Sequence, residues 1–436
     1  MANPIKGILK NVWFFTLKLR ASFYPVNKTS LFFLPHRNSM MDNYDVSNYS
    51  ADNVLVLLNH VLRSKDFAGY TLYIGYYNGS SLDVCQQYVR SINKDAKVVW
   101  VDVNSKKRIA KALIQCRVTF TDHPHLELPY KSKKQKVISL GYFTPFKDDY
   151  WDIEKLSPKE RNKLRSIVNK SYDYHIVTSS VSGRIISVDT LLEYDKFKSL
   201  GFPRNDIFYK DNVSFKEQLR RVIGMDFDKV ICYTPTYRDY EREDLYLSDK
   251  SLVEKKGVFG NIASELSGQM DEVLKKNNSI VIAKMHPWQE KSVLEGNTGD
   301  RIFMFSDIAK KIKCSLYDVL SISDALITDY TSTAFDYMHL NKPIIFYFYD
   351  YEKYTKNRGF SFEPVETVCG GPIVYNYEDL IDAINFTLAG GDNYENKRQF
   401  VHSLINEYHD GKSCERISIL IKELTDDENK CCGNGI

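Results

Sequence analysis

Apolar and polar positions along this chain follow two alternating periods. Short, mostly apolar runs read as buried strands at residues 71–76, 97–103, 117–121, 136–140 and 175–178, then at 229–233, 279–284, 325–328 and 343–347. Between them, residues 52–62, 106–114 and 261–275 set apolar side chains three and four positions apart, the spacing of a helix with one buried face. Ser157-Pro158-Lys159-Glu160 is a capping box with proline at the first helical position, and it opens a helix to about residue 170. Strands alternating with helices predict doubly wound α/β layers. Gly201-Phe-Pro-Arg-Asn-Asp206 interrupts the alternation with a loop signature, and a second set follows. Two α/β domains are expected, over residues 31–200 and 201–425, ahead of a disordered tail at 426–436.

Residues 1–30 follow a different pattern. Ile5, Ile8, Val12, Phe15 and Leu19 recur at helical spacing, and residues 1–41 carry Lys6, Lys10, Lys18, Arg20, Lys28 and Arg37 with no acidic residue. Lys18 and Arg20 cut the apolar run too short to span a bilayer, and no small-residue cleavage site follows it. A basic helix lying on an anionic membrane surface is expected, with a buried helix as the alternative because Trp13, Phe14 and Leu17 blur the polar face.

Composition narrows the class. The 436 residues are 43% hydrophobic and 26% charged, ordinary for a soluble protein with sizeable cores. A net charge of +3 is too weak to point to nucleic acid. The eight cysteines are scattered, mostly inside apolar segments, which fits reduced thiols in a cytosolic protein. No carboxylate cluster has metal-ligand spacing, so no metal or other cofactor is assigned.

The candidate chemistry lies at strand ends in the second half. Thr234, Thr236 and Arg238 follow one strand, Lys284 and His286 the next, and Thr331 and Ser332 a third. In that third unit, Thr331 or Ser332 can cap a helix through Phe335, Met338 and His339, and the turn delivers a helix N-terminus to the carboxyl end of a strand. If the three strands are neighbours, arginine, histidine, hydroxyls and free N–H groups converge on one rim and suit a diphosphate. Each residue also has a plainer reading: a histidine before proline is often a turn residue, and Arg238 beside Asp239 can be a surface ion pair.

Six ordered segments then carry a resemblance. Tyr233-Thr-Pro-Thr-Tyr-Arg-Asp239, Lys284-Met-His-Pro287, Ile327-Thr-Asp-Tyr-Thr-Ser332 with Phe335-Asp336-Tyr337, Pro343-Ile-Ile-Phe346, Asp350 and Arg358-Gly359 resemble the CDP-glycerol glycerophosphotransferases, the teichoic-acid and capsule polymerases and primases. His409-Asp410-Gly411 with Glu415-Arg416 looks like that family's closing segment. The resemblance implies a GT-B-like architecture, with two facing Rossmann-like domains and a cleft between them. It also implies transfer of a polyol phosphate from a CDP donor to a hydroxyl of a surface polymer or lipid-linked primer, releasing CMP. On this basis His286 would assist the departure of CMP. Thr331 and Ser332 would be the phosphate-binding pair, and Arg238 and Arg358 would neutralise phosphate charge. Asp336 would reach toward the ribose or serve helix packing. Mg²⁺ is expected only as a companion of the donor's diphosphate.

One position departs from the family. A His-Gly-Thr-Pro-like motif in the first domain is expected to supply the base, but here Gly141-Tyr-Phe-Thr-Pro-Phe-Lys147 puts Tyr142 where the histidine should be. An unperturbed tyrosine, with a pKa near 10, is a poor base at neutral pH. Asp122, His123 and His125 follow another strand and are either the base or surface loop residues. Two rival functions stay open at this level: a GT-B glycosyltransferase using a nucleotide sugar, and a non-catalytic polymer-binding relative.

Overall fold

The computed structural model describes residues 25–35, 52–77, 79–122, 134–141, 144–146, 155–236, 258–259, 268–285, 299–357 and 359–426, together with Phe23 and Ile153. The chain divides into two compact units. The first comprises residues 1–142, 152–206 and 410–436, and the second residues 143–151 and 207–409.

The first unit is built on seven parallel strands: β1 (Asn27–Leu34), β2 (Thr71–Tyr76), β3 (Lys97–Asp102), β4 (Cys116–Thr121), β5 (Lys136–Ser139), β6 (Tyr174–Val177) and β7 (Phe197–Ser199). Their order is β3-β2-β1-β4-β5-β6-β7. β4 is buried along its whole length, as expected of a central parallel strand covered on both faces. Leu31 and Phe33 of β1 join Val118 and Phe120 of β4 in one core, against the helix Asn53–Arg63 and the C-terminal helix Ser413–Thr425. Phe32 and Leu34 point to the opposite core, under the helix Lys106–Gln115. The predicted capping box forms: Ser157 Oγ accepts from the Glu160 N–H, and the Glu160 carboxylate accepts from the Ser157 N–H at 2.9 Å.

The second unit has six parallel strands: β8 (Lys229–Thr234), β9 (Ser279–Ala283), β10 (Ile302–Met304), β11 (Ala325–Thr328), β12 (Ile344–Tyr347) and β13 (Ile373–Val374), in the order β10-β9-β8-β11-β12-β13. Both sheets therefore run outward from a central pair, β1/β4 in one and β8/β11 in the other. This is the Rossmann pattern, with its topological switch point between those strands. At the outer edge, Gly371 lets β13 approach β12, because a Cβ there would lie 1.7 Å from the Ile344 carbonyl oxygen.

Three sequence expectations need correction. The segment assigned to residues 1–30 overlaps β1, whose hydrogen-bonded register with β2 and β4 commits residue 27 onward to the first sheet. Residues 1–22, which carry most of the basic-apolar pattern, lie outside the described residues. The helix Ser413–Thr425 belongs to the first unit, since Cys414, Ile417 and Ile421 fill its core. The Asp206 carboxylate anchors that helix by accepting from the Ser413 and Cys414 N–H groups, both at 2.9 Å. Gly201, at φ +80°, packs where a Cβ would meet Ser413 Oγ at 2.6 Å. Finally, Phe146 is anchored in the second unit: its ring lies 5.2 Å from that of Phe335, and its carbonyl accepts from the Ser361 N–H at 3.0 Å.

Candidate active site

In the second unit β8 lies between β9 and β11, and all three run the same way. The loops holding Thr234 and Thr236, Lys284, and Thr331 and Ser332 therefore open on one carboxyl rim, at and beside the switch point. Thr234 and Thr328 pair across β8 and β11: Thr234 Oγ1 donates to Thr328 Oγ1 at 3.2 Å, and Thr328 Oγ1 donates to the Thr234 carbonyl at 2.8 Å. One residue further on, Asp329 closes the loops together. Its Oδ1 accepts from the Thr236 N–H at 2.7 Å, from the Thr236 hydroxyl at 2.6 Å and from the Tyr330 N–H at 2.6 Å. Asp329 is 1% exposed, so this carboxylate works in a dry setting where charge-assisted bonds hold geometry firmly.

Tyr330 fixes the other side of the same turn. Its hydroxyl donates to Asp350 at 3.0 Å, and its ring stacks on Tyr354 at 3.8 Å between centroids. Beyond Asp350 the rim opens into a cavity of about 710 Å³ lined by Tyr349, Tyr351, Lys353, Lys356 and Tyr375 among others.

The helix after the turn is shorter than predicted. It runs Thr333–Tyr337 and passes into a 3-10 turn at Met338–Leu340. Ser332 sits at the N-cap position but makes no side-chain cap bond, while the Thr331 hydroxyl lies 3.2 Å from that of Thr333. Both Thr331 and Ser332 are partly exposed on the rim. Lys284 is half-buried, and its ammonium donates to the Met285 carbonyl at 2.9 Å. Asp336 sits in the packing role: it is 1% exposed, and its Oδ2 accepts from the Tyr317 hydroxyl at 2.5 Å, so it is not turned toward a ribose. Arg238, His286 and Arg358 lie outside the described residues, as do His123, His125 and Tyr142.

Asp122 lies in the first unit, directly after β4, and is 4% exposed. Burial pushes its carboxyl well above the usual carboxylate range. The Asp52 carboxylate beside it adds to the rise, while Arg204 and the Val54 N–H oppose it. Asp52 is the N-cap of the helix that follows β1, accepting from the Val54 N–H at 2.8 Å. Asp52 and Asp122 thus meet across the switch point of the first sheet. Sequence reasoning missed Asp52 as a site residue and gave Asp329 no role. The signals were an aspartate just ahead of a helical apolar pattern, and another just after a four-residue apolar strand.

Two Rossmann-like units in one chain define a GT-B-like α/β protein. The fold matches the solved wall teichoic acid polymerase TagF with a TM-score of 0.71, at 19% identity over 98% of this chain and 97% of that one. Residues 51–423 match the family described as CDP-glycerol:poly(glycerophosphate) glycerophosphotransferase, and the chain belongs to it. Among its relatives is the teichoic acid glycerol-phosphate primase of Bacillus subtilis (strain 168), 27% identical over 59% of each chain. Another is the teichoic acid ribitol-phosphate primase of Bacillus spizizenii, 27% identical over 72% of this chain and 76% of that one.

Proposed function

We propose that this protein transfers a polyol phosphate, glycerol phosphate or ribitol phosphate, from its CDP conjugate to a hydroxyl of a surface polymer or lipid-linked primer, and releases CMP. One observation carries the reading furthest: the switch-point rim of the second unit, where Asp329 ties the Thr236 loop to the loop bearing Thr331 and Ser332. Family membership supports the same chemistry, since the relatives include polyol-phosphate primases and a poly(glycerol phosphate) polymerase.

In the reaction, the acceptor oxygen attacks the phosphorus that bears the polyol. The bond from that phosphorus to the bridging oxygen breaks, and CMP leaves with the electron pair. Such a transfer asks the protein mainly to position the diphosphate and to stabilise charge on its non-bridging oxygens. Thr331, Ser332 and Lys284 supply donors for those oxygens, with Thr234 and Thr236 setting the spacing of the loops. Arg238, His286 and Arg358 add charge, and His286 assists the leaving phosphate, on the strength of their place in the family's motifs.

The donor and acceptor would be brought together at the cytoplasmic face of the cell membrane. Among the described residues no helix is long and apolar enough to cross a membrane. The basic, apolar residues 1–24 would hold the protein to anionic lipid. Deleting them should release it from anionic vesicles, whereas unchanged vesicle binding would give the segment a structural role instead. The function itself is tested by a donor screen with CDP-glycerol, CDP-ribitol and nucleotide sugars. CMP release that depends on a primer supports the proposal, and a nucleoside diphosphate released from a nucleotide sugar replaces it with glycosyl transfer.

A further inference from the structure

The carboxyl rim of the second unit continues past the turn that bears Thr331 and Ser332. Next to β11 in the sheet come β12 and β13, and the cavity of about 710 Å³ opens where these two strands end. The segment that follows β12 lines it through Tyr349, Tyr351, Glu352, Lys353 and Lys356, and Tyr375 lines it from the end of β13. All of these residues belong to the second unit. Asp350 joins the cavity to the turn: it lines the cavity, and its Oδ1 accepts from the hydroxyl of Tyr330, the residue before Thr331, at 3.0 Å.

The aromatic wall is held in place from behind. Phe348 is buried, and the Tyr351 ring stacks parallel to it at 5.8 Å between centroids and meets the Tyr375 ring edge-on at 5.9 Å. Tyr349 and Tyr375 are nevertheless 38% and 47% exposed, so each offers an entering molecule an apolar face and a hydroxyl. Lys353 and Lys356 stand three positions apart on the helix Tyr351–Asn357, a spacing that sets two side chains on one face with about 5–6 Å between their Cβ atoms. Two ammonium groups so placed can meet successive phosphates of a chain, while the Glu352 carboxylate accepts from hydroxyls. This mixed lining suits a chain in which phosphates alternate with hydroxyl-bearing carbons. It suits a bare polyanion less well, because the carboxylates repel it. The volume is in the range that encloses a drug-sized ligand, and a single three-carbon polyol would fill only a small part of it.

We propose that this cavity holds the polyol-phosphate chain of the acceptor, and that the preferred acceptor therefore already carries several polyol-phosphate units. This rests on the polyol-phosphate transfer proposed above. The tyrosine faces carry the carbon backbone, Lys353 and Lys356 pair with phosphates, and Glu352 accepts from polyol hydroxyls. The bond between Tyr330 and Asp350 fixes the chain site beside the turn proposed to hold the donor's diphosphate.

The test is calorimetric binding of glycerol-phosphate and ribitol-phosphate oligomers to the full chain, with no CDP donor present. For the matching polyol, an oligomer of about four units should bind at least about tenfold more tightly than a single unit. Lys353→Gln combined with Lys356→Gln should weaken the longer oligomer by about fivefold or more at low salt and flatten its salt dependence. Tyr375→Ala should weaken it at all salt concentrations. These side chains are exposed, so circular dichroism of the variants should match the wild type. In turnover, the same variants should raise the KM for a primer bearing the oligomer and leave the KM for CDP-glycerol within about twofold. Affinity that does not depend on oligomer length, or that survives both the double lysine change and Tyr375→Ala, would overturn the proposal. So would inorganic polyphosphate of equal charge binding as tightly as the oligomer. Length-dependent binding that the variants abolish, in a protein that releases no CMP, counts against the proposed reaction and leaves the chain site standing. CMP release with a primer KM indifferent to length counts against the chain site alone.

Discussion

Thr236 gives both its backbone N–H and its hydroxyl to a single oxygen of Asp329, at 2.7 and 2.6 Å. The contact joins the ends of two adjacent parallel strands that lie 93 residues apart in the chain. It holds the β8 loop and the β11 turn at a fixed separation, the geometry on which the proposed diphosphate site depends.

Removing that contact should cost both stability and donor binding. Asp329→Ala leaves the Thr236 and Tyr330 N–H groups without their acceptor, a loss of about 1–3 kcal/mol for each buried group. Donor affinity, measured by calorimetry with CDP-glycerol, should fall at least about tenfold for each 1.4 kcal/mol of lost positioning. Thr236→Val removes only the hydroxyl bond and should have the smaller effect on thermal unfolding.

His286→Ala should lower turnover by about 100- to 10,000-fold, the range for loss of a proton-transferring side chain. Its circular dichroism spectrum and unfolding midpoint should stay those of the wild type. Near-normal CMP release would remove His286 from the mechanism.

Tyr317→Phe separates packing from donor recognition. The variant leaves the buried Asp336 carboxylate without its 2.5 Å bond, and unfolding in urea should show a loss of about 1.5–3 kcal/mol. The donor KM should stay within about twofold, because the pair faces the interior. A KM raised tenfold at unchanged stability would return Asp336 to the ribose.

Acid should destabilise the second unit through its histidines. His402 Nε2 lies 3.0 Å from His339 Nδ1, and its ring stacks on that of His409 at 4.1 Å between centroids. Burial, then the charges of His339 and His409, hold His402 down to about 2 from its ordinary 6.5. A base with a lowered folded pKa contributes its full stability above the unfolded value. That stability is lost as pH falls from about 6.5 toward 2. The slope from this one group is about 1.4 kcal/mol per pH unit at most, and less where solvent reaches the ring. Unfolding midpoints between pH 7 and 5 should fall in the wild type and fall less in His402→Gln.

Gly371→Ala should fail to give soluble protein. The added carbon would lie 1.7 Å from the Ile344 carbonyl oxygen, a backbone atom that cannot swing aside. Recovery of a folded variant at wild-type yield would mean that β13 can shift away from β12.

The strands inside each sheet were legible because burial on both faces leaves them as near-continuous apolar runs. Residues 71–76 and 325–328 form strands with the boundaries read from the pattern. β7, β10 and β13 were not legible: they are two or three residues long and lie at or near sheet edges, where burial is partial and the pattern too brief. β1 was hidden differently, since its first three residues are exposed and polar and follow a basic stretch.

The local sequence by itself determined the Ser157 capping box, the alternation of strands and helices, and the motifs that mark the family, because each depends on neighbours within a few residues. Only the tertiary structure decided that Asp52 meets Asp122, that Asp329 grips Thr236, that Asp336 turns inward to Tyr317 and that the last helix returns to the first unit. Those outcomes depend on strand order, and parallel sheets pair strands that are distant in the chain. A carboxylate's role is set by the charges and donors such pairing brings beside it, and these are not written in its own flanking residues.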